Sequence, residues 1–129
     1  EMDWTHSNSV FFDENTESVF ISVRNLSRIT KIDYASKDLI WNMGQTDFMN
    51  EIYFEEDLNF SQQHSVQILN NGNLLFFDNH RYLSPELSRC IEVSYDESDY
   101  SAEIIWEHVL PAELFTGSRG ECGPARGSC

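Results

Sequence analysis

Positive charge is scarce in this chain. Eight Lys and Arg stand against 22 Asp and Glu, and the formal net charge is −14. A nucleic-acid backbone needs a basic footprint, so binding to DNA or RNA is excluded as an expectation. Docking on anionic lipid is excluded on the same ground. Long apolar runs are missing too: no stretch approaches the roughly 20 residues of a membrane span. The opening segment, Glu1 to Trp4, has no signal-peptide pattern. Helical periodicity is nearly absent. Three Cys, at 90, 122 and 129, make an odd set that gives no disulfide framework. Cys90 lies in a strand-like run and reads as a buried thiol, while Cys122 and Cys129 share a Gly-rich tail and could pair. Compact metal-ligand spacing, a Gly-rich phosphate loop and a Ser-His-Asp arrangement are not found, so neither metal nor cofactor is expected.

What is present is apolar and aromatic. Residues of the AVILMFWYC set make up 40% of the chain and aromatics 13%, enough for a core in one domain. Short apolar or alternating runs predict strands near 8–13, 18–24, 28–34 and 38–42. A second set falls near 65–70, 73–78, 89–95 and 102–108. Turn residues separate them at Asp13-Glu14-Asn15, Tyr34-Ala35-Ser36, Asn70-Asn71-Gly72-Asn73 and Asp96-Glu97-Ser98. Between the sets, residues 45–62 read as an acidic linker with room for one helical turn around 55–58.

The two sets follow one pattern. His6, Val10-Phe11-Phe12, Val19-Phe20-Ile21, Ser27-Arg28-Ile29 and Leu39-Ile40-Trp41 are matched in order. Their counterparts are His64, Val66-Gln67-Ile68, Leu75-Phe76-Phe77, Ser88-Arg89-Cys90 and Ile104-Ile105-Trp106. A four-strand unit repeated at this spacing points to an all-β chain of two four-stranded antiparallel β-propeller blades. An eight-stranded sandwich is the alternative. The expected divisions are a first blade over 1–44, the acidic linker over 45–62, a second blade over 63–111 and an irregular tail over 112–129. Trp41 and Trp106, late in each unit, are expected to form inter-blade contacts. Two blades do not close a ring, so the pattern implies either a segment of a longer propeller or a protomer completed by oligomerisation. Three copies would supply six blades.

Basic residues in conspicuous places carry weight in so acidic a chain. His6 and His64 sit at equivalent places at the start of each unit. In a propeller they would face one axis. Arg24 and Arg81 follow the second strand of each unit, and their guanidinium forks suit phosphate or sulfate oxygens. Each could equally be a turn histidine or a surface ion pair.

At these residues the sequence resembles a family. Asp3-Trp4-Thr5-His6-Ser7-Asn8-Ser9 is similar to the D-W-x-H-x-N-x motif of bacterial arylsulfotransferases. Gln63-His64, with Asn71-Gly72-Asn73-Leu74-Leu75-Phe76-Phe77-Asp78-Asn79, resembles that family's Q-H…N-G-N-L-x-x-F-D-N stretch, the most specific piece. Ser22-Val23-Arg24-Asn25-Leu26-Ser27 resembles another. The resemblance runs over roughly residues 3–111. It implies a six-bladed propeller that moves a sulfuryl group from an aryl sulfate to a phenol, without a nucleotide donor. A His takes the group transiently while other His and an Arg hold the sulfate oxygens. By motif, His6, His64 and Arg81 match three active-site residues, and Asn8, Arg24 and Asn79 are expected to touch substrate. The expected partners are therefore a small aryl sulfate and a phenol. The resemblance also implies a periplasmic or secreted location. Two departures stand out. The family's nucleophilic His comes from a later blade, and His108 has no matching repeat position. His80 replaces the usual Gly after F-D-N, so the loop holding Arg81 is expected to differ.

Overall fold

The computed structural model describes residues 4–45 and 52–123. Two four-stranded antiparallel sheets account for them, each with its strands in chain order. The first holds β1 (Ser7–Asp13), β2 (Ser18–Val23), β3 (Arg28–Asp33) and β4 (Leu39–Gly44). The second holds β5 (His64–Ile68), β6 (Leu74–Asp78), β7 (Arg89–Asp96) and β8 (Ser101–Val109). These are two propeller blades. Short 3-10 turns at Arg24–Leu26 and Ala112–Leu114 are the helical elements among the described residues.

Local chemistry explains why the chain reverses where it does. Asp13 accepts from the Asn15 amide and the Thr16 hydroxyl. Asp33 accepts from the Ser36 amide, and Asp96 from the amide and hydroxyl of Ser98. In each case a carboxylate satisfies turn donors that the strands cannot reach. The β5–β6 turn uses Asn71, which accepts from the Asn73 amide, and Gly72 at φ 88°.

The blades share more than strand order. In the first, Lys31 pairs with Trp41, and the register shifts before Ile32 pairs with Leu39. In the second, Glu92 pairs with Trp106, and the register shifts before Val93 pairs with Ile104. The bulged residue is an Ile in both, Ile40 and Ile105. A bulge at one site in two sheets aims the following Trp in the same direction relative to each blade.

The two Trp meet different surroundings. Trp41 is 0% exposed. Its ring lies edge-on to Phe20, Phe54 and Tyr95, with centroids 5.8, 4.9 and 5.4 Å away. Tyr95 belongs to β7, so Trp41 joins the blades. Trp106 is 47% exposed and stacks on His108 of its own strand. The expected inter-blade role thus holds for Trp41, and Trp106 presents the same group on an open face. A polar seam runs beside the aromatic one. Buried Gln63 donates to Ser22 Oγ and to the carbonyls of Arg28 and Val23. Its own carbonyl accepts from Asn8 and Ser22. Lys31 of the first blade reaches Glu97 of the second at 2.6 Å.

Two expectations are corrected. Residues 55–58 do not form a helical turn; the segment from Ile52 to Gln63 is extended or irregular. The Asn42 amide donates to the Ile52 carbonyl and the Phe54 amide to the Asn42 carbonyl, which ties this stretch to β4 as extended chain, and Phe54, Leu58 and Phe60 reach the core from it. The cysteines also differ from expectation. Cys90 is not a free thiol and Cys122 does not pair with Cys129: Cys90 and Cys122 form a disulfide across a separation of 32 residues, with Cα atoms 5.8 Å apart. The tail turns back along β5 and β6, which brings Cys122 onto β7; Cys129 lies outside the described residues.

Candidate functional site at one end of the two blades

Antiparallel pairing puts the start of β1, the end of β2, the start of β5 and the end of β6 at one end of the molecule. His6 precedes β1 and Arg24 follows β2. The Arg24 amide donates to the His6 carbonyl at 3.0 Å, and the Asn25 amide to the Thr5 carbonyl at 3.1 Å, tying the two together. His64 opens β5, and Asn79 follows β6. His6 adopts φ 49° and Ser65, beside His64, φ 56°. Such left-handed geometry is uncommon for residues with a Cβ and collects at functional sites.

His64 is fully engaged. Its Nδ1 lies 2.7 Å from Asn79 Oδ1 and 3.1 Å from the Gln62 carbonyl, and its Nε2 accepts from the Arg119 amide at 3.2 Å. Burial pushes the imidazole below its ordinary value. The bonds to Asn79 and Gln62 oppose that shift, while the charges of Arg24 and His6 add to it.

Arg81 reaches the same place from the loop after β6. Its stem lies against Gly117, where an added Cβ would sit 3.2 Å from Arg81 Cδ. Arg24 donates to the Gly117 carbonyl at 3.2 Å and to Asn25 Oδ1 at 2.9 Å. Gly117 therefore lies beside both arginine side chains, and two residues on the Arg119 amide meets His64. The loop holding Arg81 is left-handed at two residues that carry a Cβ: His80 adopts φ 58° and Tyr82 φ 69°. Buried Asp78 makes this possible. It accepts from the His80 amide and Nδ1, from the Ser61 amide, and from Arg89 Nε. His80 is thus a structural residue of the loop.

The structure gathers His6, Arg24, His64, Asn79 and Arg81. By the pairing of Val23 with Arg28 and of Asp78 with Arg89, the counterpart of Arg24 is Asn79, and Arg81 stands two residues further on. Asn8 goes elsewhere: its amide donates to the Gln63 carbonyl in the inter-blade seam. Asn79 is fully buried behind His64. Sequence reasoning missed the segment over the site. Asn79 donates to the Thr116 and Arg119 carbonyls, Ser65 to the Gly120 carbonyl, and Gln67 to the Cys122 carbonyl. Gly120, at φ 122°, lies so close to Phe77 that a Cβ would fall 2.4 Å from its ring. The Gly117 and Gly120 pair was the available signal.

Two four-stranded blades with imidazole and guanidinium groups at one end define a class, that of the propeller proteins. Within it, the arylsulfotransferase family model matches residues 1–122, and the chain belongs to that family. No curated protein matches the chain.

Proposed function

We propose that this end of the molecule is part of a site for sulfuryl transfer from an aryl sulfate to a phenolic acceptor, by way of a histidine that carries the group. One observation carries the reading: the same short segment meets Arg24 at the Gly117 carbonyl and His64 at the Arg119 amide, in a chain of this family. In the transfer, a nitrogen–sulfur bond forms as the bond from sulfur to the aryl oxygen breaks. The phenolate leaves and takes up a proton. The acceptor phenol then loses its proton, attacks sulfur and frees the imidazole. Negative charge spreads over the sulfuryl oxygens throughout. Arg24, Arg81 and the imidazole of His6 supply fixed donors for it. The Cys90–Cys122 bond supports an oxidising compartment, periplasmic or secreted.

A second reading is favoured by the open Trp106 face: the blades act as a non-catalytic interaction or self-assembly module, with a homotrimer completing six blades. One sample separates the two. Release of 4-nitrophenol from its sulfate ester in the presence of a phenol, lost in His64→Ala and Arg81→Ala, supports transfer. Absence of turnover and of sulfate-ester binding, at any solution mass, would overturn it, and a stable trimer without turnover supports the second reading.

A further inference from the structure

We infer that Asn79 is a positioning residue: it holds His64 in the Nδ1–H tautomer, so that Nε2 carries the lone pair, which the Arg119 amide occupies in this structure and which takes the proton of a phenolic hydroxyl that stands in the place of that amide. The inference rests on the reading of His64 as part of the sulfuryl-transfer site.

The argument begins with the orientation of an amide. Asn79 has two backbone carbonyls on one side, Thr116 at 2.9 Å and Arg119 at 2.7 Å. Carbonyl oxygens only accept, so the NH₂ of Asn79 must face them. Its Oδ1 must then face His64 Nδ1, 2.7 Å away. An amide oxygen only accepts as well, so Nδ1 carries the hydrogen. The Gln62 carbonyl, at 3.1 Å from the same nitrogen, makes the same demand. On the other side of the ring, the Arg119 amide can only donate, and it points at Nε2. Every contact of the ring thus requires a neutral imidazole with its lone pair on Nε2. Asn79 is itself held by its surroundings. It is fully buried, and Ser88 donates to its backbone carbonyl at 3.1 Å.

The chemical consequence is specific. A neutral His64 of this tautomer cannot donate from Nε2 to a sulfate oxygen. It can take a proton there. When the acceptor phenol's O–H bond breaks, the proton passes to Nε2 and the ring becomes an imidazolium, while the phenolate oxygen is free to attack sulfur. The Nδ1–H···Oδ1 bond to Asn79 is retained and strengthens as the ring becomes charged. The charged and titratable groups facing the ring are Arg24 after β2 and His6 before β1. Both disfavour the imidazolium, so once the new sulfate ester has formed the proton passes to water and the neutral ring is restored.

Nitrogen-15 NMR of the histidine-labelled full chain tests this, with His64 assigned by the loss of its signals in His64→Gln. Above the titration midpoint, His64 in the unmutated chain is expected to show a pyrrole-type Nδ1 and a pyridine-type Nε2. Asn79→Asp places a carboxylate on Nδ1–H and is expected to raise the His64 midpoint by about one unit, as a nearby charge does. A pyridine-type Nδ1 in the unmutated chain overturns the inference, and so does an unmoved midpoint in a folded Asn79→Asp chain. The unmutated spectrum decides by itself if that variant fails to fold. Neither readout requires turnover. The expected tautomer in a chain that binds no aryl sulfate would remove the proposed function and leave the positioning role of Asn79 in place.

Discussion

Replacing Trp41 by Ala should separate the blades energetically, and replacing Trp106 by Ala should not. Trp41 is fully buried between Phe20, Phe54 and Tyr95. Truncating a buried Trp costs about 3–5 kcal/mol, through lost transfer energy and the cavity left behind. The edge-on ring contacts go with it, so the upper half of that range, about 4 kcal/mol, is the expectation. That is a large share of the roughly 5–15 kcal/mol that holds an ordinary domain together. Trp106 occupies the equivalent register position but is half exposed, and its removal should cost about 1 kcal/mol or less. Trp41→Phe should fall between the two. The indole nitrogen of Trp41 is buried without a hydrogen-bond partner, so Phe removes an unsatisfied donor together with part of the packing. Urea unfolding followed by far-ultraviolet circular dichroism measures all three, at concentrations where the chain is monomeric. Equal losses for Trp41→Ala and Trp106→Ala would refute the reasoning, since the two differ in burial and not in residue type or register.

Two further outcomes follow from the geometry. Reducing the Cys90–Cys122 bond opens a loop spanning 32 residues, and loop-closure entropy sets the expected loss at about 3–4 kcal/mol. The same treatment should free residues 116–120 from His64, seen as faster modification of that ring by diethyl pyrocarbonate; an unchanged rate would mean that the hydrogen bonds alone hold the segment. Tyr95 is pushed up to about 12 by burial, with Glu97 and Asp13 adding to the effect. Its neutral form is favoured in the fold, so the stability tied to it is complete below about 10 and is lost as pH rises through about 12. An ultraviolet titration in which every tyrosine ionises near 10 would contradict that.

The strands were legible because the chain alternates and because its turns are written in Asp, Asn, Gly and Ser. The repeat made His6, Arg24 and His64 conspicuous before any coordinate was known, and the structure brings them to one end. What could not be read depended on contacts distant in sequence. The disulfide joins a strand to a tail, and an odd count of cysteines offers no rule for choosing that pair. The stretch at 55–58 read as a helical turn, yet the backbone at Phe54 bonds to Asn42 of β4, a contact distant in sequence. Asn79 was expected to touch substrate from the motif alone, and its bonds to the Thr116 and Arg119 carbonyls, 37 and 40 residues away, had no mark in that motif. Trp106 and Trp41 look identical in sequence, and only the packing distinguishes a filled face from an open one.

The dipeptide Gln63-His64 has a mechanical meaning. Gln63 is bolted to the first blade through Ser22, Val23 and Arg28, while the next residue is the imidazole of the site. One peptide unit thus serves as the alignment mark between two bodies. Any slip of one blade against the other must either break the hydrogen bonds of Gln63 or carry His64 with it, away from His6 and Arg24. The spacing of His64 from His6 and Arg24 is therefore set at the seam, by the side chain of the residue before it.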